Sequence, residues 1–410
     1  MKYCKKFFSP AGCLILALSL CSCSQTYQYF FDDENGFSAD INRLFGGEPS
    51  QEISYTAPPK IEVSDYYTTS YDSPVDRNLT DMEIELYNLI CYYIEEHELN
   101  FHFEEYGEDE VINAYRAVID DHPEYFWMNK GYSYTKRSLG SHIEVDFVPV
   151  SNGTADDIAA KEVRFKAIAD RIVQEAMKQE TLYDKVLYVH DYLVDNTTYD
   201  TQAAQASDEE KEEQRYFDSS TAYGCLVNKR AVCSGYSAAF QYIMKRLSIP
   251  CGRISGKSVE NGELHEWNYL TLGDYNYQMD VTWDDSSVTN HDGTTYERKS
   301  YDYFLVTTEE MEITHEFDRS KAIPECSGLE YNYYIYNGLY MEEYNFDYVA
   351  YIVREYAPTG EVAMKFGTAE ECRKASEELI ENNRIFDIDG VGRNISYILG
   401  SNGLTLTINV

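Results

Sequence analysis

Between residues 229 and 285 the hydrophobic pattern changes period once, and this constrains the fold more than any other stretch. In "KRAVCSGYSAAFQYIMKRLSIP" (229–250), Tyr236, Phe240, Ile243 and Leu247 recur at helical spacing, which predicts a helix with one apolar face. Ile249-Pro250 stops that helix, because the residue before a proline is driven out of the helical region. Downstream, "ELHEWNYLTLGDYNYQMDVTWDD" alternates on both sides of Gly273-Asp274, which predicts two strands joined as an antiparallel hairpin.

Cys233 falls at the start of the helix. Free cysteine is among the most buried residue types, so packing is its ordinary use. A packing cysteine, however, gains nothing from a helix N-terminus. A nucleophile does, because unpaired N–H groups and the positive dipole end favour a thiolate and can hold an oxyanion. Such a nucleophile needs a base, and the base an orienting acid. The hairpin carries His265 and, fifteen residues on, Asp280. The two share a face only if the connecting loop has an even number of residues. A two-residue loop at Leu272-Gly273 sets them opposite each other, and a four-residue loop centred on Gly273-Asp274 sets them diagonally adjacent. Even loops are the natural reading, so one helix and one hairpin are expected to assemble Cys233, His265 and Asp280.

"AVCSGYSAAFQYIMKRLSIPC", "HEWNYL" and "YQMDVTWDD", in that order, resemble the core of the transglutaminase-like superfamily, related in architecture to papain-type cysteine peptidases. "DKVLYVHDYLVDNTTYD" and "YFLVTTEEMEITH" resemble the stretches that flank this core in exported bacterial members. The resemblance implies an α+β fold in which the cysteine helix packs on an antiparallel sheet. It also implies Cys233 as nucleophile, His265 as general base and acid, and Asp280 as the residue holding the imidazole. The family often has a small residue after the histidine; here Glu266 stands there, and alternation is expected to turn it harmlessly to the opposite face. The second oxyanion donor has no motif; Tyr223 and Asn228 are only guesses. The calcium sites of animal members are not recognisable, "WDDSSVTNHDGTTY" reads as a polar turn, and no cofactor or metal is expected.

Other chemistry-bearing residues have plainer readings. Trp267 and Trp283 are expected to pack under the hairpin, and Asp284 and Asp285 to form a turn, so that Asp284→Asn should do little. His190 lies beside the Leu182–Val186–Val189–Leu193 stripe and reads as structural. A metal site on His190, Asp191 and His265 lacks any metal-ligand spacing. Six cysteines follow Cys23 and none forms a CxxC pair, which argues against structural zinc.

The rest of the chain divides by pattern. Residues 1–22 hold three lysines, a short apolar run and small residues, as an export signal does. "LCSC" resembles a bacterial lipobox, so Cys23 is expected to carry lipid and anchor an exported protein; an ordinary cleaved signal is the alternative. Loss of three lysines and no acids takes the net charge from −37 to −40, which repels nucleic acid and anionic lipid. Membrane attachment would then be through the lipid alone.

Residues 23–78 read as a proline-rich tether, 79–180 as a mixed, mainly helical N-terminal domain, and 181–320 as the core. The acidic "SDEEKEEQRYFD" within the core reads as a solvated surface. Residues 325–410 read as a small α+β domain with strands near 347–356, 361–366, 395–399 and 404–410 around a helix at "TAEECRKASEELIENN".

The expected function is acyl transfer from a protein or peptide substrate (peptide, amide or isopeptide) through a Cys233 thioester, with hydrolysis favoured over crosslinking. The alternative is a silent surface scaffold that reuses the fold, which would be expected to have lost one of the three residues.

Overall fold

The structure, a computed structural model, describes residues 24–29 and 79–409 apart from short breaks at 140–141, 208–209, 211–212, 290–294, 318–322, 357–359 and 393–394. The expected signal and Cys23 lie outside the described residues, as does most of the expected tether. No helix of the described residues is long and apolar enough to cross a membrane.

The N-terminal part runs β1 (Ser24–Tyr29), α1 (Asp81–Glu95), β2 (Phe101–Glu104), α2 (Glu108–Asp121), β3 (Met128–Leu139), β4 (His142–Ser151) and α3 (Ala155–Ala176). Capping boxes start two of its three helices, Thr80 with Glu83 on α1 and Thr154 with Asp157 on α3. The strands form one antiparallel sheet in the order β1-β3-β4-β2. Ser24–Tyr29, the first residues of the stretch expected to be a tether, therefore belongs to a sheet.

The central part runs α4 (Leu182–Asn196), β5 (Thr198–Tyr199), α5 (Thr201–Ala204), α6 (Gln214–Ser219), β6 (Arg230–Ala231), α7 (Cys233–Arg246), β7 (Cys251–Ser258), β8 (Leu264–Leu272) and β9 (Tyr275–Met279). It continues through α8 (Val281–Asp284), β10 (Asp285–Thr289), β11 (Thr295–Lys299), α9 (Thr308–Met311) and β12 (His315–Phe317). Its main sheet has the order β12-β7-β8-β9, wholly antiparallel.

Helix α7 packs against β7 and β8 on one side and α3 and α4 on another, and every residue from Gly235 to Met244 is buried. The helix is thus enclosed all round, where its sequence indicated a single apolar face. Gly235 is required by close approach: a Cβ there would lie 2.5 Å from the Ser219 carbonyl oxygen. One hydrophobic core runs unbroken from Leu86 on α1 through α7 to Phe304 and Leu305, so the N-terminal and central parts fold around common packing.

The C-terminal part comprises α10 (Tyr333–Tyr336), β13 (Tyr340–Met341), α11 (Phe346–Tyr356), β14 (Glu361–Phe366), α12 (Ala369–Ser376), β15 (Ser396–Leu399) and β16 (Thr405–Asn409) around a second core. Residues 346–356 correct the sequence reading. "FDYVAYIVREY" is rich in β-branched and aromatic residues and was expected to be a strand, yet it is a helix. Val349, Ala350, Ile352 and Val353 make a helical apolar stripe that packs toward β14, and this tertiary burial overrides weak local propensity.

Candidate active site

The hairpin closes through a two-residue turn, Gly273-Asp274, flanked by the Leu272–Tyr275 pair. Gly273 has φ +61°, the left-handed conformation that the first position of a type II′ turn demands. The loop is even-numbered and its register pairs Asn268 with Met279. His265 and Asp280 are consequently diagonal neighbours on one face. Asp280 follows β9 and caps α8, its Oδ1 accepting the backbone N–H groups of Thr282 (2.9 Å) and Trp283 (3.3 Å). The cap turns Oδ2 toward His265, whose Nε2 lies 2.6 Å away.

The Cys233 thiol lies beside the His265 ring and adds to its raised basicity. With Nε2 committed to Asp280, Nδ1 is the nitrogen left for the sulfur. Cys233 is the first residue of α7, and Val232 provides no side-chain cap to its first-turn N–H groups. Cys233 is partly exposed, whereas Cys91, Cys225, Cys251, Cys326 and Cys372 are buried. Burial pushes those five thiols up, to about 12 for Cys225, Cys326 and Cys372.

Burial by itself would lower the basicity of the His265 ring. The charge and hydrogen bond of Asp280, helped by Cys233, outweigh it and raise the ring to about 10. Burial likewise opposes ionisation of Asp280, but its two imidazole partners hold the carboxyl well below the usual range. A buried carboxylate against a buried imidazole orients the ring and favours its protonated form.

Several neighbours differ from the sequence reading. Glu266 does face away from His265, but it is not idle. It accepts from Ser237 Oγ (2.5 Å), Arg253 Nη1 (3.1 Å) and Ser255 Oγ (3.4 Å), tying the second turn of the cysteine helix to the sheet. Arg253 continues the link to the Ile119 carbonyl of α2 at 3.0 Å.

Asp284 is a buried hub rather than a turn-former. It accepts from His190 Nε2 (3.2 Å), Ser300 Oγ (2.7 Å) and the Tyr303 amide (3.1 Å), and burial raises it to about 6. His190, fully buried, uses its other nitrogen on Asp191 at 3.1 Å, as a structural histidine would. Asp285 accepts the Tyr236 hydroxyl. Trp267 is buried with its indole N–H donating to Gln278 at 2.8 Å, and Trp283 packs against both the His265 and His315 rings.

Two residues at the site went unread in the sequence. Tyr199, partly exposed on β5, lies near Cys233 and Asp280; burial, together with the charge of Cys233, raises its phenol to about 12. His315, on β12, places Nε2 3.1 Å from Asp280 Oδ2. Neither has a spacing rule linking it to the hairpin, although both stand in the flanking stretches that carry the family resemblance. Tyr223 is buried against Phe126, and Asn228 donates to Asp218 at 3.3 Å. Neither residue's contacts place it at the site.

His265, Asp280 and His315 bring donor atoms within 4.8 Å of one another, as a metal site would. Here the carboxylate and the two imidazoles satisfy one another directly by hydrogen bonds.

The sequence model of the transglutaminase-like superfamily matches residues 166–281. No curated protein matches the chain. Among solved structures, a TGase is 20% identical over 36% of this chain and 44% of its own, with a TM-score of 0.27. A Cytophaga hutchinsonii protein provisionally assigned as a cysteine protease is 14% identical over 36% of this chain and 60% of its own (TM-score 0.24). A Parabacteroides distasonis protein provisionally assigned as a protease is 10% identical over 40% of each chain (TM-score 0.22). In each case the match spans less than two thirds of the other chain.

Proposed function

With residues 166–281 a transglutaminase-like domain, we propose that the chain is a cysteine-dependent acyl-transfer enzyme acting on peptide, amide or isopeptide bonds, with Cys233, His265 and Asp280 as its reacting set. The observation that carries this reading is the 2.6 Å hydrogen bond between His265 and Asp280 beside a partly exposed Cys233 at the start of α7.

The Cys233 proton resides on His265, and Asp280 stabilises that imidazolium. The sulfur attacks the acyl carbon, the C–N bond breaks, and His265 returns the proton to the departing amine. The backbone N–H at the start of α7 and the Tyr199 hydroxyl, a phenol at neutral pH, stabilise the tetrahedral oxyanion. The resulting thioester is discharged by water, with His265 now removing the proton from the attacking molecule; a primary amine in place of water gives crosslinking.

Residues 1–23 support an exported protein with lipid on Cys23. A chain recovered from cells with a different N-terminus, or left in the supernatant when membranes are pelleted, contradicts that placement.

The activity is tested with a panel of peptide amides and isopeptides and with a fluorescent primary amine. Wild type should cleave or incorporate, and Cys233→Ala should not. Equal signals from both chains across the panel would leave a silent binding scaffold as the better reading.

A further inference from the structure

We propose that His315 is a positioning residue of this site, holding the Asp280 carboxylate so that His265 presents its other nitrogen to Cys233. The inference rests on the enzymatic reading of the site and adds a fourth member to it.

Asp280 is buried and must satisfy its acceptors within the protein. Oδ1 is taken by the cap of α8, while Oδ2 receives two imidazoles, His265 at 2.6 Å and His315 at 3.1 Å. A bare ring nitrogen at 3.1 Å from a carboxylate oxygen would repel it, so His315 Nε2 carries a hydrogen. Burial, together with the charge of His265, pulls the basicity of His315 down despite Asp280, which keeps the ring neutral. The Thr314 hydroxyl stands 2.9 Å from Nδ1, and the Met311 carbonyl also reaches the ring.

Packing does not explain an imidazole here. His315 is 1% exposed and walled by Trp267 (4.7 Å between centroids), Trp283 (4.3 Å) and Tyr303 (5.3 Å). An apolar ring would fill that box without the cost of burying a polar one. The imidazole adds a directed N–H to the carboxylate oxygen that orients His265. Without it, the Oδ2 lone pair loses a donor that fixes the carboxylate plane, and His265 gains freedom to turn.

The test uses the full chain and two variants. His315→Phe keeps a ring and loses the donor, while His315→Gln restores an N–H near the place of Nε2. Two readouts follow: the rate at which iodoacetamide alkylates Cys233 between pH 5 and 9, and the far-downfield proton resonance of the His265–Asp280 hydrogen bond. His315→Phe should slow alkylation about tenfold, change its pH profile and shift the downfield resonance; His315→Gln should recover most of both. A His315→Phe chain with wild-type rate, profile and resonance overturns the proposal, as do equal losses in the Phe and Gln variants.

If His315→Phe does not fold, Thr314→Val, which removes the hydroxyl against His315 Nδ1, should shift the same resonance; no shift counts against the proposal. His265→Ala separates this inference from the broader reading. Alkylation unchanged by His265→Ala removes the cysteine-enzyme reading, whereas a strong His265→Ala effect beside a silent His315→Phe removes His315 alone.

Discussion

His265 Nε2 and Asp280 Oδ2 stand 2.6 Å apart although the hairpin does not pair the two residues. They are diagonal neighbours, and the gap is closed by the turn of α8, which Asp280 itself caps. One carboxylate thus does two jobs, one with each oxygen.

This division of labour makes Asp280→Asn informative. Asparagine caps helices about as well as aspartate, so α8 and the fold should survive. The orienting charge is lost, and turnover should fall by roughly 10³–10⁴-fold. Steady-state kinetics beside a melting curve will separate the two effects.

Asp284→Asn should behave in the opposite way. Its carboxylate accepts from His190, Ser300 and the Tyr303 amide in a fully buried position, so the substitution should cost about 2 kcal/mol of stability. Denaturant midpoints will read this, and a stability unchanged within error would show that the network tolerates an amide.

Cysteine labelling follows from burial. Of the six cysteines in the described residues, only Cys233 is partly exposed. Brief iodoacetamide treatment of the native chain should give a single modified peptide among those six, and it should contain Cys233. Comparable labelling of Cys225 or Cys251 would contradict the packing described.

Tyr199→Phe separates nucleophile from oxyanion stabilisation. Loss of the hydroxyl should lower turnover about 10²-fold while leaving the iodoacetamide rate nearly unchanged, since alkylation develops no oxyanion. A parallel fall in both rates would place Tyr199 with the nucleophile instead.

Stability should depend on pH through the same groups. His265 is raised to about 10, so its contribution is complete below about 6.5 and is lost as the pH climbs from there toward about 10. Asp284, raised to about 6, contributes below about 4 and loses that contribution as the pH rises to about 6. Asp280, lowered, contributes above about 4 and loses it as the pH falls through its depressed value. Melting temperatures should decline between pH 7 and 10, and His265→Ala should flatten that decline.

What the sequence determined by itself is local. Thr80 with Glu83 and Thr154 with Asp157 mark helix starts because a capping box is a four-residue object. Cys233 at the head of α7 and the shared face of His265 and Asp280 were legible because helix period, strand alternation and loop parity are counted along the chain. Tertiary structure decided what depends on which segments meet. His315 reaches Asp280 from 35 residues away, and His190 reaches Asp284 from 94, with no periodicity to connect them. Residues 346–356 became a helix because a facing sheet buries their 3.6-residue stripe, a gain that exists only after the C-terminal strands have assembled.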